Sequence, residues 1–371
     1  MARLTLPLTA WSSALIAALV GFGGTVAIVV QAMRSLGASV DQIGSAVTAL
    51  CLGIAIFGAA LSLRLRMPVI LAWSTPGAAF LAAAPTGVSW LAMIGCFLSA
   101  ALLMILFGLV PALERLVRRI PPTIASAMLA GVILPFCLEL FRIAGIDPLL
   151  AVLLLSTFVA ARSRVPLYAL PLVLAAGVAI TLLRGDVVEL PAGRMFGTLQ
   201  LAAPLFDLPV LLSLGLPLFL VTLISQNLPG LIILRASGYE PRASSLLVGT
   251  GLASLLAAPF GGHALNLAAI TAAICTSDDA HADRSKRWTV GIIYAGIYLL
   301  LALFSPLLVR FFLALPPPVI GALTGIALIP TFISSCEAMI GRGEDRDPAI
   351  LTFLATASGL TLFGLGSAFW G

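Results

Sequence analysis

Charged residues are scarce in this 371-residue sequence: Asp, Glu, Lys and Arg together make up 9% of it, with 20 basic and 15 acidic residues. Soluble domains are usually about a quarter charged, so a water-exposed fold of this size could not be covered by so few charges. Hydrophobic residues make up 61%. The composition therefore excludes a soluble enzyme, a nucleic-acid-binding protein and a disordered chain, and predicts an all-α polytopic membrane protein.

Residues with catalytic or metal-binding chemistry are equally sparse. The chain has two histidines, His263 and His281, and its five cysteines lie within or near the ends of apolar runs without zinc-ligand spacing. We find no phosphate loop, nucleophile elbow or metalloprotease helix. The sequence thus predicts no metal, no cofactor and no enzymatic activity, and it favours a secondary transporter over an ATP-driven pump.

Hydropathy predicts about fourteen membrane spans, taking about 20 residues for each spanning helix. Two pairs, 147–160 with 165–183 and 347–357 with 359–370, contain pieces too short to cross alone, so twelve crossings is the alternative count. The predicted spans are 10–33, 42–63, 68–84, 88–110, 121–141, 147–160, 165–183, 208–234, 241–258, 259–276, 287–312, 316–337, 347–357 and 359–370.

The basic residues divide unevenly between the two sides of this arrangement. With a cytoplasmic N-terminus, 15 of the 20 basic residues fall on the cytoplasmic side. Cytoplasmic loops of membrane proteins carry such an excess of Lys and Arg. We therefore predict that both termini are cytoplasmic, and that the outer side carries Arg34, Arg142, Arg184, Arg194 and Arg310.

The two halves of the chain share a spaced pattern of proline and alanine. Four positions recur at an offset of 195 residues, namely Pro121, Pro122, Ala127 and Pro135, which match Pro316, Pro317, Ala322 and Pro330. These residues open spans five and twelve, which are seven spans apart and so cross in opposite directions. The pattern predicts 7+7 inverted repeats, 1–184 and 208–371, joined by a linker at 185–207. The alternative is that Pro-Pro merely starts two helices.

Two spans contain helix breakers at mid-depth. In span three, Ser74 and Thr75 precede Pro76 and Gly77, which is typical of a helix start after an extended segment. In span ten, Pro259, Gly261 and Gly262 come before an apolar run that starts after His263. We predict two half-helices, each preceded by a short extended segment, whose free N–H groups, at Thr75–Gly77 and Gly262–Ala264, form a site for negative charge. The alternative is two ordinary kinked helices.

The remaining polar residues inside apolar runs complete the candidate site. Gln226 and Asn227 lie in span eight, where they either face a substrate cavity or hold helices together by hydrogen bonds. His263 could take up a proton, hydrogen-bond a substrate carboxylate or only fix a helix, and the three interpretations stay open. The predicted substrate-binding residues are Thr25, Ser74, Thr75, Gly77, Gln226, Asn227, Gly262, His263 and Asn266.

Two motifs resemble a known family. Residues 225–230 read Ser-Gln-Asn-Leu-Pro-Gly, and residues 258–275 read Ala-Pro-Phe-Gly-Gly-His-Ala-Leu-Asn-Leu-Ala-Ala-Ile-Thr-Ala-Ala-Ile-Cys. Both are similar to motifs of the benzoate:proton symporter (BenE) family of bacterial inner membranes. The resemblance implies proton-driven import of benzoate or a related aromatic carboxylate. It makes His263 the proton-coupling candidate, and the candidates for packing against the substrate ring are Phe22, Trp73, Phe80 and Phe260. The alternatives are a nucleobase or an inorganic anion as the substrate, or an anion channel.

The same resemblance implies an architecture, because this family is similar in organisation to uracil and xanthine permeases and to sulfate-type transporters. It implies a core domain, 1–110 plus 208–312, and a gate domain, 121–183 plus 316–371, with substrate between spans three and ten and often a homodimer. The chain departs from the nucleobase permeases because Gln226 and Asn227 stand where those relatives place acids. An anionic substrate accounts for the change, since a fixed carboxylate would repel it.

Overall fold

The computed structural model describes residues 7–85, 87–110, 121–186, 189–340, 346–360, 362 and 367–370, and these residues are mostly helical. Two short strands, β1 (Leu71–Trp73) and β2 (Leu265–Leu267), interrupt the helices. The α-helices are α1 (Leu8–Ala18), α2 (Val26–Ser35), α3 (Val40–Leu65), α4 (Thr75–Ala82), α5 (Trp90–Leu109), α6 (Pro122–Ile146), α7 (Pro148–Arg164), α8 (Ala169–Arg184), α9 (Leu208–Val210), α10 (Leu216–Thr222), α11 (Leu228–Ala236), α12 (Ala243–Ala257), α13 (Ile270–Thr276), α14 (Trp288–Leu313), α15 (Pro317–Met339), α16 (Arg346–Ala357) and α17 (Ser367–Trp370).

Nine helical segments of the described chain are long and apolar enough to cross a membrane. They coincide with nine of the fourteen predicted spans. The other five predicted spans are built from shorter pieces: spans three and ten are broken by β1 and β2, α7 has 17 residues and α16 has 12. Span 359–370 lies largely outside the described residues. The chain is thus a multi-pass membrane protein, and the total of fourteen crossings stays a prediction.

Predicted spans one and eight are continuous but irregular helices. A π-helical turn at Leu19–Gly23 joins α1 to the region before α2, and further π turns occur at Leu211–Gly215 and Leu223–Asn227. A π turn inserts an extra residue and changes the face on which later side chains lie. In this chain the last of these turns carries Gln226 and Asn227.

The repeated prolines begin helices at matching places. Pro121 is the N-cap of α6 and Pro316 is the N-cap of α15, so each helix starts at the second proline of its pair. Proline suits the first helical position because its missing N–H would have no intrahelical partner there. The two helices pack against each other. Gly325 allows this, since a Cβ added there would lie 2.7 Å from the carbonyl oxygen of Phe136.

The most extensive packing occurs within two groups of helices. One group contains α3 with α14 and α5 with α12, and the other contains α6 with α15 and α16. Residues 189–206 form no helix, and their backbone amides bond to the first group: Gly197 to the Leu303 carbonyl (2.7 Å), Ala202 to the Pro259 carbonyl (2.8 Å) and Leu205 to the Leu91 carbonyl (2.9 Å). The segment predicted as a linker is therefore attached along its length to one group.

Asp147, between α6 and α7, gives a prediction about stability. Its carboxylate accepts a hydrogen bond from the Leu150 amide (3.0 Å) and pairs with Arg184 at the end of α8. The bond from Arg184, and then that from Leu150, lower the pKa of Asp147. A carboxyl whose folded pKa is lowered stabilises the fold above its unfolded pKa of about 3.9, and the contribution disappears as pH falls through the folded pKa.

We expect Asp147→Asn to lower the unfolding temperature at pH 7 by about 1–2 °C, since partly exposed ion pairs contribute little. The difference between the variant and the wild-type protein should shrink as the pH approaches 3. Thermal unfolding of the two proteins in the same detergent at pH 7 and at pH 3 to 4 measures it. A difference that is independent of pH would contradict this account of the ion pair.

Candidate functional site

The two broken spans meet through their backbones. Strands β1 and β2 pair antiparallel, with Ala72 opposite Asn266 and Trp73 opposite Leu265. The pairing continues beyond the strands, where the Ser74 amide donates to the Ala264 carbonyl (3.2 Å) and the Ala268 amide donates to the Ile70 carbonyl (2.9 Å). We call residues 70–75 and 263–268 the strand crossing. Non-helical backbone is tolerated at membrane depth only where such bonds satisfy it.

A serine of the preceding helix holds each broken segment. The Ser62 hydroxyl of α3 accepts from the Val69 amide (3.0 Å), and the Ser254 hydroxyl of α12 accepts from the Leu265 amide (2.8 Å). Both serines are buried. We call these two contacts the serine clamps. The serines lie in predicted spans two and nine and hold predicted spans three and ten, so they occupy matching places in the two halves.

The start of α4 confirms the predicted half-helix but changes which of its amides are free. The Ser74 hydroxyl accepts from the Gly77 amide (2.9 Å), and the Ser74 carbonyl accepts from the Ala78 amide (2.8 Å). Pro76 has no N–H to offer. Of the predicted amides of Thr75–Gly77, only that of Thr75 makes no hydrogen bond within the described residues. Thr75 is half-buried, so this amide lies at the accessible end of the helix.

The second half-helix follows a short extended segment, as predicted, but it starts later than predicted. We expected its first turn directly after His263, whereas residues 265–267 form β2 and α13 begins at Ile270. The Gly262 amide donates to the Ala257 carbonyl (3.0 Å), so it belongs to a turn in which Gly261 has a φ of 94°. The predicted free amides at Gly262–Ala264 are therefore wrong as a helix start. Because α13 has only 7 residues, its dipole is also short.

The neighbouring amides of span eight have different surroundings. Asn227 is completely buried; its Nδ2 donates to Asn266 Oδ1 (2.8 Å) and its Oδ1 accepts from the Leu267 amide (3.0 Å). Asn227 therefore attaches α11 to β2. This corresponds to the alternative in which the amide holds neighbouring segments together by hydrogen bonds. Gln226 is half-buried and makes no side-chain hydrogen bond within the described part of the chain. Of the pair, Gln226 is the one available to a ligand.

His263 connects the two halves of the strand crossing. Its Nε2 lies 3.0 Å from the Ser74 carbonyl, and its ring contacts Phe97 edge-on at 6.4 Å. A carbonyl only accepts, so Nε2 carries the proton in this bond. The other ring nitrogen, Nδ1, is buried without a hydrogen-bond partner among the described residues. His263 thus positions the cap of α4 and keeps one buried ring nitrogen without a hydrogen bond within the described residues.

Aromatic residues cover one side of the strand crossing. The Phe22 and Trp73 rings are 5.3 Å apart, and the Trp73 indole donates to the Thr25 hydroxyl (2.8 Å). Two residues that the sequence analysis missed extend this wall: Tyr298 contacts Trp73 at 6.4 Å, and the Tyr294 hydroxyl donates to the Leu71 carbonyl (3.2 Å). Two of only four tyrosines, spaced four residues apart in an apolar span, were a signal that could have been used.

The other two predicted ring-packing residues lie elsewhere. Phe80 is buried further along α4 and lines a separate cavity of about 380 Å³ with Pro85 and Pro135. Phe260 belongs to the turn before Gly261, where its carbonyl accepts from the Ser45 hydroxyl of α3 (3.0 Å). The structure therefore brings Phe22, Trp73 and Thr25 together at the strand crossing. Phe80 and Phe260 do not join this aromatic cluster.

The assembled site is aromatic and uncharged. No Asp, Glu, Lys or Arg occurs at 70–75, 223–227 or 263–268, where His263 is the one titratable side chain. No metal-binding cluster of His, Cys, Asp or Glu occurs among the described residues. Thr25, Thr75 and Gln226 are half-buried. The Thr25 hydroxyl donates to the Gly21 carbonyl (2.6 Å), whereas the Thr75 amide and the Gln226 side chain form no hydrogen bond within the described residues. Such a site suits a small planar molecule with an acceptor group, held by neutral donors beside aromatic rings.

The chain is similar to known membrane proteins over almost its whole length. Residues 5–371 match the family model described as benzoate membrane transport protein. The chain is 39% identical over 356 residues to "Inner membrane protein YdcO" of Escherichia coli (strain K12), covering 96% of this chain and 91% of that protein. It is 35% identical over 364 residues to the "Benzoate membrane transport protein" of Acinetobacter baylyi (strain ATCC 33305 / BD413 / ADP1), covering 98% and 92%.

A solved structure supports the fold. The transmembrane domain of a cyanobacterium bicarbonate transporter, BicA, aligns with a TM-score of 0.64 over 94% of this chain and 95% of that one. The sequence identity is 17%, so this likeness concerns the fold alone. The family description and the relatives' names are those of membrane and transport proteins, not of enzymes. By its match over nearly its whole length, the chain belongs to the benzoate membrane transport protein family.

Proposed function

We propose that the protein imports benzoate, or a similar aromatic carboxylate, together with protons across the bacterial inner membrane by alternating access. The observation that carries this proposal is the family match over residues 5–371. The relative named as a benzoate transport protein, 35% identical over 98% of this chain, supports the substrate class. The aromatic, uncharged site at the strand crossing is compatible with such a substrate.

We assign the substrate to the Trp73 side of the strand crossing. The carboxylate accepts hydrogen bonds from the Thr75 amide and the Gln226 side chain, while the ring packs against Phe22 and Trp73. Ser74, Gly77, Asn227 and Gly262 act behind this surface by holding the backbone that presents it. His263 also holds this backbone, and it carries the transported proton. Asn266 Nδ2, which is buried without a partner among the described residues, is a further donor at the crossing. The site contains no fixed carboxylate, and such a group would repel the anionic substrate.

The 7+7 inverted repeat and the two moving domains are part of the same proposal. The matched prolines that start α6 and α15, the paired serine clamps and the two strands support the repeat. The separate packing groups support a core of 1–110 plus 208–312 and a gate of 121–183 plus 316–371. Because residues 189–206 are bonded to core helices, we expect them to move with the core. Cytoplasmic termini and a homodimer stay predictions.

Binding of labelled benzoate to the purified protein tests the substrate assignment. We expect saturable binding that unlabelled benzoate displaces and that excess uracil or sulfate does not displace. Displacement by uracil or by sulfate would instead support the nucleobase or inorganic anion alternative. In planar bilayers, pH-independent anion currents too large for a transport cycle would support a channel. Absence of binding of any aromatic acid to folded protein would overturn the proposal.

A further inference from the structure

A second cavity lies apart from the strand crossing. Its volume is about 690 Å³, and it lies between α2, the second half of α6 and the start of α15. We call it the outer cavity, since the distribution of basic residues predicts that Arg34 and Arg142 lie on the outer side. Arg34 follows Thr25 by nine residues along α2. At a rise of 1.5 Å per residue, the two residues are roughly 13 Å apart along the helix axis.

Of the two arginines that line the outer cavity, one has no acidic partner within the described residues. Arg142 pairs with Glu139 (3.3 Å) on the same helix. Arg34 is exposed and forms no ion pair within the described residues. Glu139 is the one acid among the described residues that line the cavity, so two guanidinium groups face a single carboxylate. An anion entering this space would therefore be attracted, most directly by Arg34.

The rest of the cavity lining is mainly apolar. Phe136, Ile143 and Ile146 of α6 face Leu313, Pro317 and Ile320 across the space. Cavities of about 300–1,000 Å³ that combine apolar walls with a few polar groups are typical of small-molecule sites. An aromatic ring can pack on these walls while its carboxylate remains near the arginines. An inorganic anion would gain the charge interaction but not the apolar contact.

A hydrogen bond lies at the inner end of this cavity. The Thr324 hydroxyl of α15 donates to Gln31 Oε1 of α2 (2.7 Å), and Thr324 is buried. Gln31 also lines the cavity, one turn before Arg34. This bond joins a helix of the proposed core to a helix of the proposed gate. A movement that separates the two domains would have to break it, which would extend the cavity toward the crossing.

We infer that the outer cavity is a second binding site for the aromatic carboxylate, where Arg34 holds the anion before it reaches the strand crossing. This inference rests on the proposed function. The juxtaposition that carries it is an arginine, unpaired in the part of the chain that the structure describes, at the rim of an apolar cavity between core and gate. The site raises the local concentration of the anion, so its loss should change the concentration dependence of transport and leave the maximal rate intact.

The test uses labelled benzoate with the full-length protein. Equilibrium binding to the wild-type protein should fit two classes of site, and Arg34→Gln should weaken the weaker class about fivefold. In proteoliposomes at low ionic strength, Arg34→Gln should also raise KM about fivefold at unchanged kcat, since one unit charge about 4 Å away in water contributes about a fivefold effect. The change should diminish at 0.5 M salt, and Arg34→Lys should retain most of the wild-type KM.

Arg194→Gln is the matched control, because Arg194 is an exposed arginine predicted on the same side and outside the cavity lining. It should leave both binding classes and KM unchanged. A single binding class in the wild-type protein, or an unchanged KM in Arg34→Gln, would overturn the inference while leaving benzoate transport intact. An equal effect of Arg194→Gln would overturn it too, by showing a general surface-charge effect. Failure of the wild-type protein to bind benzoate at all would overturn the proposed function itself.

Discussion

Replacing Asn227 with leucine is expected to lower the free energy of unfolding by about 3 kcal/mol and to abolish benzoate transport. The substitution keeps a side chain of similar size but removes the bond from Nδ2 to Asn266 and the bond that Oδ1 accepts from the Leu267 amide. Both partners are buried, so each is left without a hydrogen bond at a cost of about 1–3 kcal/mol. Strand β2 then loses its attachment to α11.

Gln226→Leu is the matched control, since it changes the adjacent amide in the same π turn. Because Gln226 is half-buried and forms no side-chain hydrogen bond within the described residues, we expect this variant to unfold like the wild-type protein. Its affinity for benzoate should fall about tenfold, the value of one hydrogen bond to a charged group. Chemical unfolding in detergent and binding of labelled benzoate measure the two effects. An Asn227→Leu protein of wild-type stability would contradict the structural role of Asn227.

His263→Gln should separate proton coupling from structure. A glutamine amide can donate to the Ser74 carbonyl as Nε2 of His263 does (3.0 Å), but it cannot take up a proton. We therefore expect a folded protein that still exchanges external for internal benzoate. Accumulation driven by a pH gradient should be lost. For one proton per anion, a difference of one pH unit supports about tenfold accumulation, so the expected change is about tenfold.

His263→Leu provides the comparison, because it removes both the donor to Ser74 and the titratable nitrogen. The Ser74 carbonyl keeps its bond from the Ala78 amide (2.8 Å), so we expect a loss of only about 1–2 kcal/mol in stability, together with loss of coupling. Counterflow and accumulation assays on the same proteoliposomes measure exchange and coupling separately. Wild-type accumulation by His263→Gln would show that another group carries the proton.

The parts of the fold that local sequence determines were predictable. Pro121 and Pro316 cap helices because the proline that follows each has a fixed φ and no N–H to satisfy, and Ser74 caps α4 because its hydroxyl reaches the Gly77 amide. The scarcity of charged residues predicted a multi-pass membrane protein from composition alone. None of these features depends on a contact between distant segments of the chain.

The parts that failed depend on contacts between distant segments. The apolar run after His263 has the composition of a helix, but residues 265–267 pair with β1, almost 200 positions earlier, and α13 starts at Ile270. Asn227 and Gln226 are adjacent and chemically alike, and only the position of β2 determines that the first is buried. Likewise, Phe80 lies on α4 close in sequence to Trp73, yet it lines a cavity that Trp73 does not reach.

The most direct test of proton-driven aromatic acid import is the initial rate of labelled benzoate entry into proteoliposomes whose interior is alkaline. Neutral benzoic acid crosses bilayers unaided, so entry into protein-free liposomes under the same gradient must be subtracted. We predict a remaining rate that saturates with benzoate, rises with the pH gradient, is inhibited by unlabelled benzoate and is unaffected by uracil. A rate equal to that of protein-free liposomes, with protein shown to be folded, would contradict the account.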